Sequence, residues 1–243
     1  MAKSSLTTED KKWIEKFVAT KRGILLWRSL IRDFLEGAIR DGKIDPRGKT
    51  NEQLKEQIVD FLKIIRSKKR RIIVFQSDFR PSLLKEARRY REANDNELSC
   101  TLYAIWIEHW INHIIVTIGQ RNKINIDDLQ QIIRELNIRA KLTWLLKLLG
   151  VPSIKQSHYT RILHLMDLRN SYVHYKWLSR AEEHETKYDE DLENTLQGIE
   201  STIKYLRKFE NRHVYHGQRL RVKTMLFSNK NILPPNQALK LTG

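Results

Sequence analysis

An all-α fold is what this sequence predicts, and three observations predict it. Apolar residues recur every three or four positions along most of the chain, the spacing that gathers them on one face of an α-helix. Glycine (9) and proline (5) are scarce among 243 residues, too few to turn the many strands of a sandwich or barrel. Capping residues stand where the periodic stretches begin and stop. Hydrophobic residues at 40% and charged residues at 30% suffice for a core and a solvated surface.

In order, Lys11 to Ile39 reads as one amphipathic helix or a pair, through Trp13, Phe17, Ile24, Trp27, Ile31 and Leu35. Asp41 to Gly48 breaks it, since glycine and proline both oppose helix continuation. Thr50 caps a second helix, with Gln53 completing a capping box. Ile72 to Phe75 is three-quarters β-branched and fits a short strand or a buried extended connector. Pro81 opens a polar, basic helix to about Arg91, and Asn94 to Asn96 ends the region. Leu98 to Ile118 is one helix with Gly119 as its C-cap. Asn125 caps Ile126 to Leu136, and Arg139 to Leu149 is a short apolar helix stopped by Gly150 and Pro152. Another helix runs from about Ser157 to Trp177, and Glu182 to Phe209 forms a last long one. Trp106, Trp110, Trp144 and Trp177 all fall at apolar helical positions and are expected in the core. This gives three parts: a basic helical extension (1–95), a helical bundle (96–212) and a basic, loosely structured tail (213–243).

The chain carries 45 Lys+Arg against 29 Asp+Glu, a net charge of +16 that favours polyanionic partners, nucleic acid first. Lys68, Lys69, Arg70 and Arg71 are the densest basic run and candidate phosphate contacts. The single cysteine, Cys100, excludes an internal disulfide framework and suits a reducing compartment. No secretory signal is visible at the start, and Leu98 to Ile118 carries Glu108, His109, Asn112 and His113, each costly in hydrocarbon. A cytoplasmic protein with no membrane partner is expected. His109 and His113 share a helix face, but no third metal ligand is identifiable and the residue after His109 is tryptophan, so no metal is expected. Neither a Walker-type loop nor Gly-x-Gly-x-x-Gly is present, so no nucleotide cofactor is expected.

The string with chemistry in it is Arg169-Asn170-Ser171-Tyr172-Val173-His174-Tyr175. Histidine exchanges a proton near neutral pH, and arginine offers a planar, permanent charge to phosphate. Together they can cleave RNA without a metal, histidine moving the 2′-hydroxyl or leaving-group proton and arginine stabilising charge on the phosphoryl group. Five positions on a helix subtend about 500°, which leaves the two about 140° apart around the axis. A site that uses both needs a local distortion or a second subunit. Taken by spacing alone, the same residues suit a salt bridge and a half-buried surface histidine.

The string resembles the R-x4-6-H motif of the HEPN superfamily, in which asparagine commonly follows the arginine and an apolar residue precedes the histidine, as Asn170 and Val173 do here. Upstream, Leu102 to Asn112 looks like the family's first core helix, where Trp106-Ile107-Glu108 matches an aromatic-x-Glu signature. The resemblance covers about residues 97–210. It implies an up-down bundle of four or five helices, a homodimer whose motif helices meet, and one RNA-cleaving cleft between them. It further implies His174 as proton carrier, Arg169 as phosphate ligand, Asn170 as orienting residue and Glu108 as the carboxylate that holds Arg169. Many such proteins are toxins held by a cognate antitoxin, or effectors of antiviral defence. Where the antitoxin is a nucleotidyltransferase, a tyrosine lies two positions after the histidine. This chain has Lys176 there and Tyr175 before it, so that form of control is in doubt, while Tyr172, Tyr175 and Lys176 remain RNA-contact candidates. A non-catalytic relative that binds nucleic acid or a partner protein is the alternative.

Overall fold

The computed structural model describes residue 20 and residues 35–67, 78–175 and 182–221. All regular structure among the described residues is helical, so the fold is all-α. No helix among the described residues is long and apolar enough to cross a membrane. Residues 11–19 and 21–34 of the expected helix from Lys11 to Ile39, the Ile72 to Phe75 segment, Trp177 and residues 222–243 lie outside the described residues.

The chain divides into two compact units, residues 1–74 with 215–243, and residues 75–214. In the first, a helical stretch at 35–40 is followed by a turn and by α1 (Asn51–Ser67). The capping box at its start is formed as expected: Gln53 N donates to Thr50 Oγ1 (3.2 Å) and Thr50 N donates to Gln53 Oε1 (2.9 Å). Leu35, Ala38, Ile39, Ile44, Leu54 and Ile58 are buried. Residues 215–221 join this unit and are not a loose tail. Tyr215 is buried, Arg219 Nη2 meets Glu36 Oε2 at 3.1 Å, and Arg221 Nη2 donates to Lys49 O (2.6 Å).

The second unit is built around α3 (Asn96–Arg121), a 26-residue helix with buried residues on most of its sides. Asp95 caps it by accepting from Leu98 N (3.2 Å). Against α3 pack α2 (Arg80–Glu92), α4 (Ile126–Glu135), α6 (Gln156–Tyr175) and α7 (Glu182–Gln197), while α8 (Ile199–His213) packs on α6 and α7. Asn125 caps α4 as expected, its side chain accepting from Asp127 N (3.3 Å). Gly150 stops the preceding helix at a positive φ of 78°, a conformation glycine adopts without penalty.

The basic helix α2 belongs to this unit and not to an N-terminal extension. Leu84 and Ala87 are buried, and Ser99 Oγ of α3 donates to Ala87 O (2.9 Å). Arg80 pairs with Glu210, Arg88 with Glu200 and Arg91 with Glu193. The acid numbers fall as the arginine numbers rise, so α2 runs antiparallel to α7 and α8. Three arginines that composition counts toward polyanion binding are thus already engaged. The Arg91 guanidinium holds the Glu193 carboxyl at about 2 against an ordinary 4.5, and Arg88 likewise lowers Glu200. Because the Glu193 pKa is depressed in the fold, its stabilisation is complete above pH 4.5 and is lost as pH falls through about 2. Thermal melts across that window should show a falling midpoint, with a shallower fall in Glu193→Gln; equal slopes would remove this assignment.

Two helix ends depart from the sequence reading. Gly119 is not a cap, since α3 continues to Arg121. A Cβ on Gly119 would stand 2.4 Å from the buried Leu129 Cδ2 of α4, so glycine lets the two helices approach. The turn is made instead by Lys123 at φ 63°, with Ile124 N donating to Gly119 O (3.0 Å). Gly119→Ala should therefore cost about 1–3 kcal/mol by overpacking, less the ~1 kcal/mol that alanine returns as a helix former. A denaturation midpoint above wild type would contradict it. The expected helix from Glu182 to Phe209 is divided at Gly198, where a Cβ would lie 2.5 Å from the Arg161 guanidinium carbon.

The helix α5 has an unexpected centre. It comprises Ile138–Ala140, a π-helical turn at Lys141–Leu145 and Leu146–Leu148. A π turn holds one extra residue and shifts the phase of later residues by about 100°. Lys141, at the start of that turn, is 9% exposed, whereas Trp144, expected in the core, is 49% exposed. Trp106 and Trp110 are buried as expected.

Candidate active site

The motif arginine and the expected carboxylate meet. Arg169 Nη2 of α6 lies 2.5 Å from Glu108 Oε1 of α3, across 61 positions of sequence. Both placements follow from helical spacing. Arg169 continues the stripe of Ile162, Leu165 and Met166, all buried, so its stem is directed at the bundle. Glu108 lies between Ala104, Ile111 and Ile115 on the corresponding face of α3. Close approach of α3 and α6 is marked by the Cys100 thiol, whose Sγ is 3.7 Å from Leu165 O. Burial pushes that thiol up to about 12, with nearby Arg169 pulling the other way, so Cys100 is no nucleophile near neutral pH.

The side chains of Arg169 and Glu108 are 22% and 40% exposed, which places the pair at the edge of the core. A pair so placed adds about 1 kcal/mol or less to stability. Its structural effect is to fix the guanidinium. Arg169 Nη2 also lies 3.9 Å from Met166 Sδ, and Arg169 Nε is buried without a hydrogen-bond partner among the described residues.

Of the other motif residues, Asn170 is exposed, Tyr172 half-buried and Val173 exposed. The backbone of His174 and Tyr175 completes α6, and their side chains lie outside the described residues, as do Lys68, Lys69, Arg70, Arg71 and Lys176 entirely. The helix is unbroken from Gln156 to Tyr175. Positions 169 and 174 are therefore about 140° apart around its axis, with no local distortion to bring them together.

Lys141 is the residue of this neighbourhood that sequence reasoning did not single out. Its Nζ donates to Asn112 Oδ1 (3.0 Å), one turn beyond Glu108 on α3. Burial pulls its pKa below the ordinary value, with the Glu108 carboxylate pushing it back up. The available signal was a lysine in register with Leu145 on an otherwise apolar face. Of the two histidines that share a face of α3, His109 is exposed and His113 Nε2 lies 3.7 Å from Glu210 Oε1. Among the described residues, no group of three or more His, Cys, Asp or Glu side chains is placed to hold a metal ion. Comparison of the chain with protein-family models, curated proteins and solved structures finds no significant match.

Proposed function

We propose that the chain is a metal-independent endoribonuclease of the HEPN type, working as a cytoplasmic homodimer and serving as a toxin or antiviral-defence effector. The observation that carries this reading is the Glu108–Arg169 pair, which fixes the motif guanidinium at the solvent edge of the bundle. In the proposed reaction His174 accepts the 2′-hydroxyl proton as that oxygen attacks phosphorus. The bond to the 5′-oxygen breaks, the leaving oxygen takes a proton from water, and Arg169 stabilises charge on the non-bridging oxygens. With the motif helix unbroken, the reading requires Arg169 of one copy and His174 of another at each phosphodiester. Tyr172, Tyr175 and Lys176 adjoin the motif as RNA contacts, and Lys68 to Arg71 supply further phosphate contacts. An antitoxin or defence-system partner would act by covering or parting the paired motif helices.

The test is cleavage of RNA in EDTA by wild type beside His174→Ala and Arg169→Ala. Equal cleavage by all three, or none by wild type, would remove the enzyme. RNA binding without cleavage would favour a non-catalytic HEPN-like domain.

A further inference from the structure

Lys141 is buried on the π-helical turn of α5, and among the described residues its ammonium has one hydrogen-bond acceptor, Asn112 Oδ1. An ammonium offers three donors, and burying it with a single acceptor is unfavourable. An apolar side chain beside the buried Leu142 and Leu145 would occupy the same place at lower cost, so stability does not explain this lysine.

Charge does. Glu108 faces Arg169 at 2.5 Å and also attracts the Lys141 ammonium. Glutamate and arginine alone cancel; with Lys141 the three-helix cluster carries +1. At the edge of a low-dielectric core such a charge acts over several ångströms.

We infer that Lys141 is a positioning residue of a phosphate-binding site at the Glu108–Arg169 pair, supplying from inside the bundle the net positive charge that lets Arg169 take a phosphate group while Glu108 still holds it. The inference rests on the ribonuclease reading for its ligand class, a phosphodiester, but its test does not need cleavage.

The probe is inorganic phosphate, titrated onto the full chain and followed by phosphorus NMR line broadening, with Arg169→Ala setting the background from other basic surfaces. Lys141→Met should weaken the Arg169-dependent binding roughly tenfold, while the melting temperature holds or rises. Lys141→Arg should retain it. Glu108→Gln should tighten it, and the double variant Lys141→Met/Glu108→Gln should return near wild type, because Arg169 alone again leaves +1. A purely structural lysine would not show that reversal. Unchanged binding in Lys141→Met overturns the inference, as does a loss that follows a lower melting temperature and persists in the double variant. RNA cleavage measured in parallel separates the two claims. The expected phosphate series without cleavage keeps the site and removes the nuclease, whereas cleavage with an unmoved phosphate series does the reverse.

Discussion

Glu210→Gln is expected to destabilise the second unit by about 3 kcal/mol, because it leaves a buried guanidinium without its buried counter-charge. Glu210 is 3% exposed on α8, and its Oε1 lies 3.1 Å from Arg80 Nη1 and 3.7 Å from His113 Nε2. The Arg80 side chain is 11% exposed. Burial works against its charge, and Asp78 and Glu210 together outweigh that penalty. Asp78 is 48% exposed and pairs at 2.8 Å, so water screens its share and it cannot replace the buried partner. For a unit of this size the loss corresponds to a fall of roughly 10 °C in melting temperature. Replacing both charges, Arg80→Met with Glu210→Leu, should recover most of it, since a buried pair is often matched by apolar residues of similar volume. A Glu210→Gln midpoint within 0.5 kcal/mol of wild type, on the ~±0.5 kcal/mol scale of ordinary surface changes, would show that Asp78 alone satisfies Arg80.

That network was not legible in the sequence, and the reason is physical. Arg80 and Glu210 are 130 positions apart, and neither periodicity nor capping specifies which distant charge a buried one meets. Local chemistry was legible. The Thr50–Gln53 box, the Asn125 cap and the proline opening of α2 depend on residues within one turn, and each stands where the sequence put it. Features that depend on tertiary approach were read less well. Gly119 looked like a cap, but it is a point of helix–helix contact, because a missing side chain serves either purpose. In α5 the buried Leu142, Leu145, Leu146 and Leu149 keep ordinary helical spacing, and Trp144 stands off that stripe, so its exposure was open to the count. Lys141 was overlooked for a different reason, that a lysine beside an apolar stripe is ordinarily a solvated charge. The Glu108–Arg169 contact was anticipated from a motif resemblance, and the buried stripe leading to Arg169 supplies an independent physical ground for it.

His174→Ala is expected to lower RNA cleavage in EDTA by 10²–10⁴-fold, the usual range for a positioned proton carrier, and Arg169→Ala by about 10²–10³-fold, the range for one electrostatic donor to a developing oxyanion. Neither should unfold the chain. Position 174 is one residue from the end of α6, and the Arg169–Glu108 pair sits at the edge of the core where ion pairs contribute little. The stronger test uses the two inactive variants together. In a two-fold dimer each copy presents the same surface to the other, so a composite site takes Arg169 from one copy and His174 from its partner. Mixed Arg169→Ala and His174→Ala subunits then form dimers of which half are hybrid, each with one intact site of two. Cleavage should return to about a quarter of wild type once subunits have exchanged. If each copy instead carried its own complete site, every hybrid would hold two broken ones and mixing would restore nothing. The unbroken α6 makes the first outcome the expected one, because 140° of helix separates the two positions within a single copy.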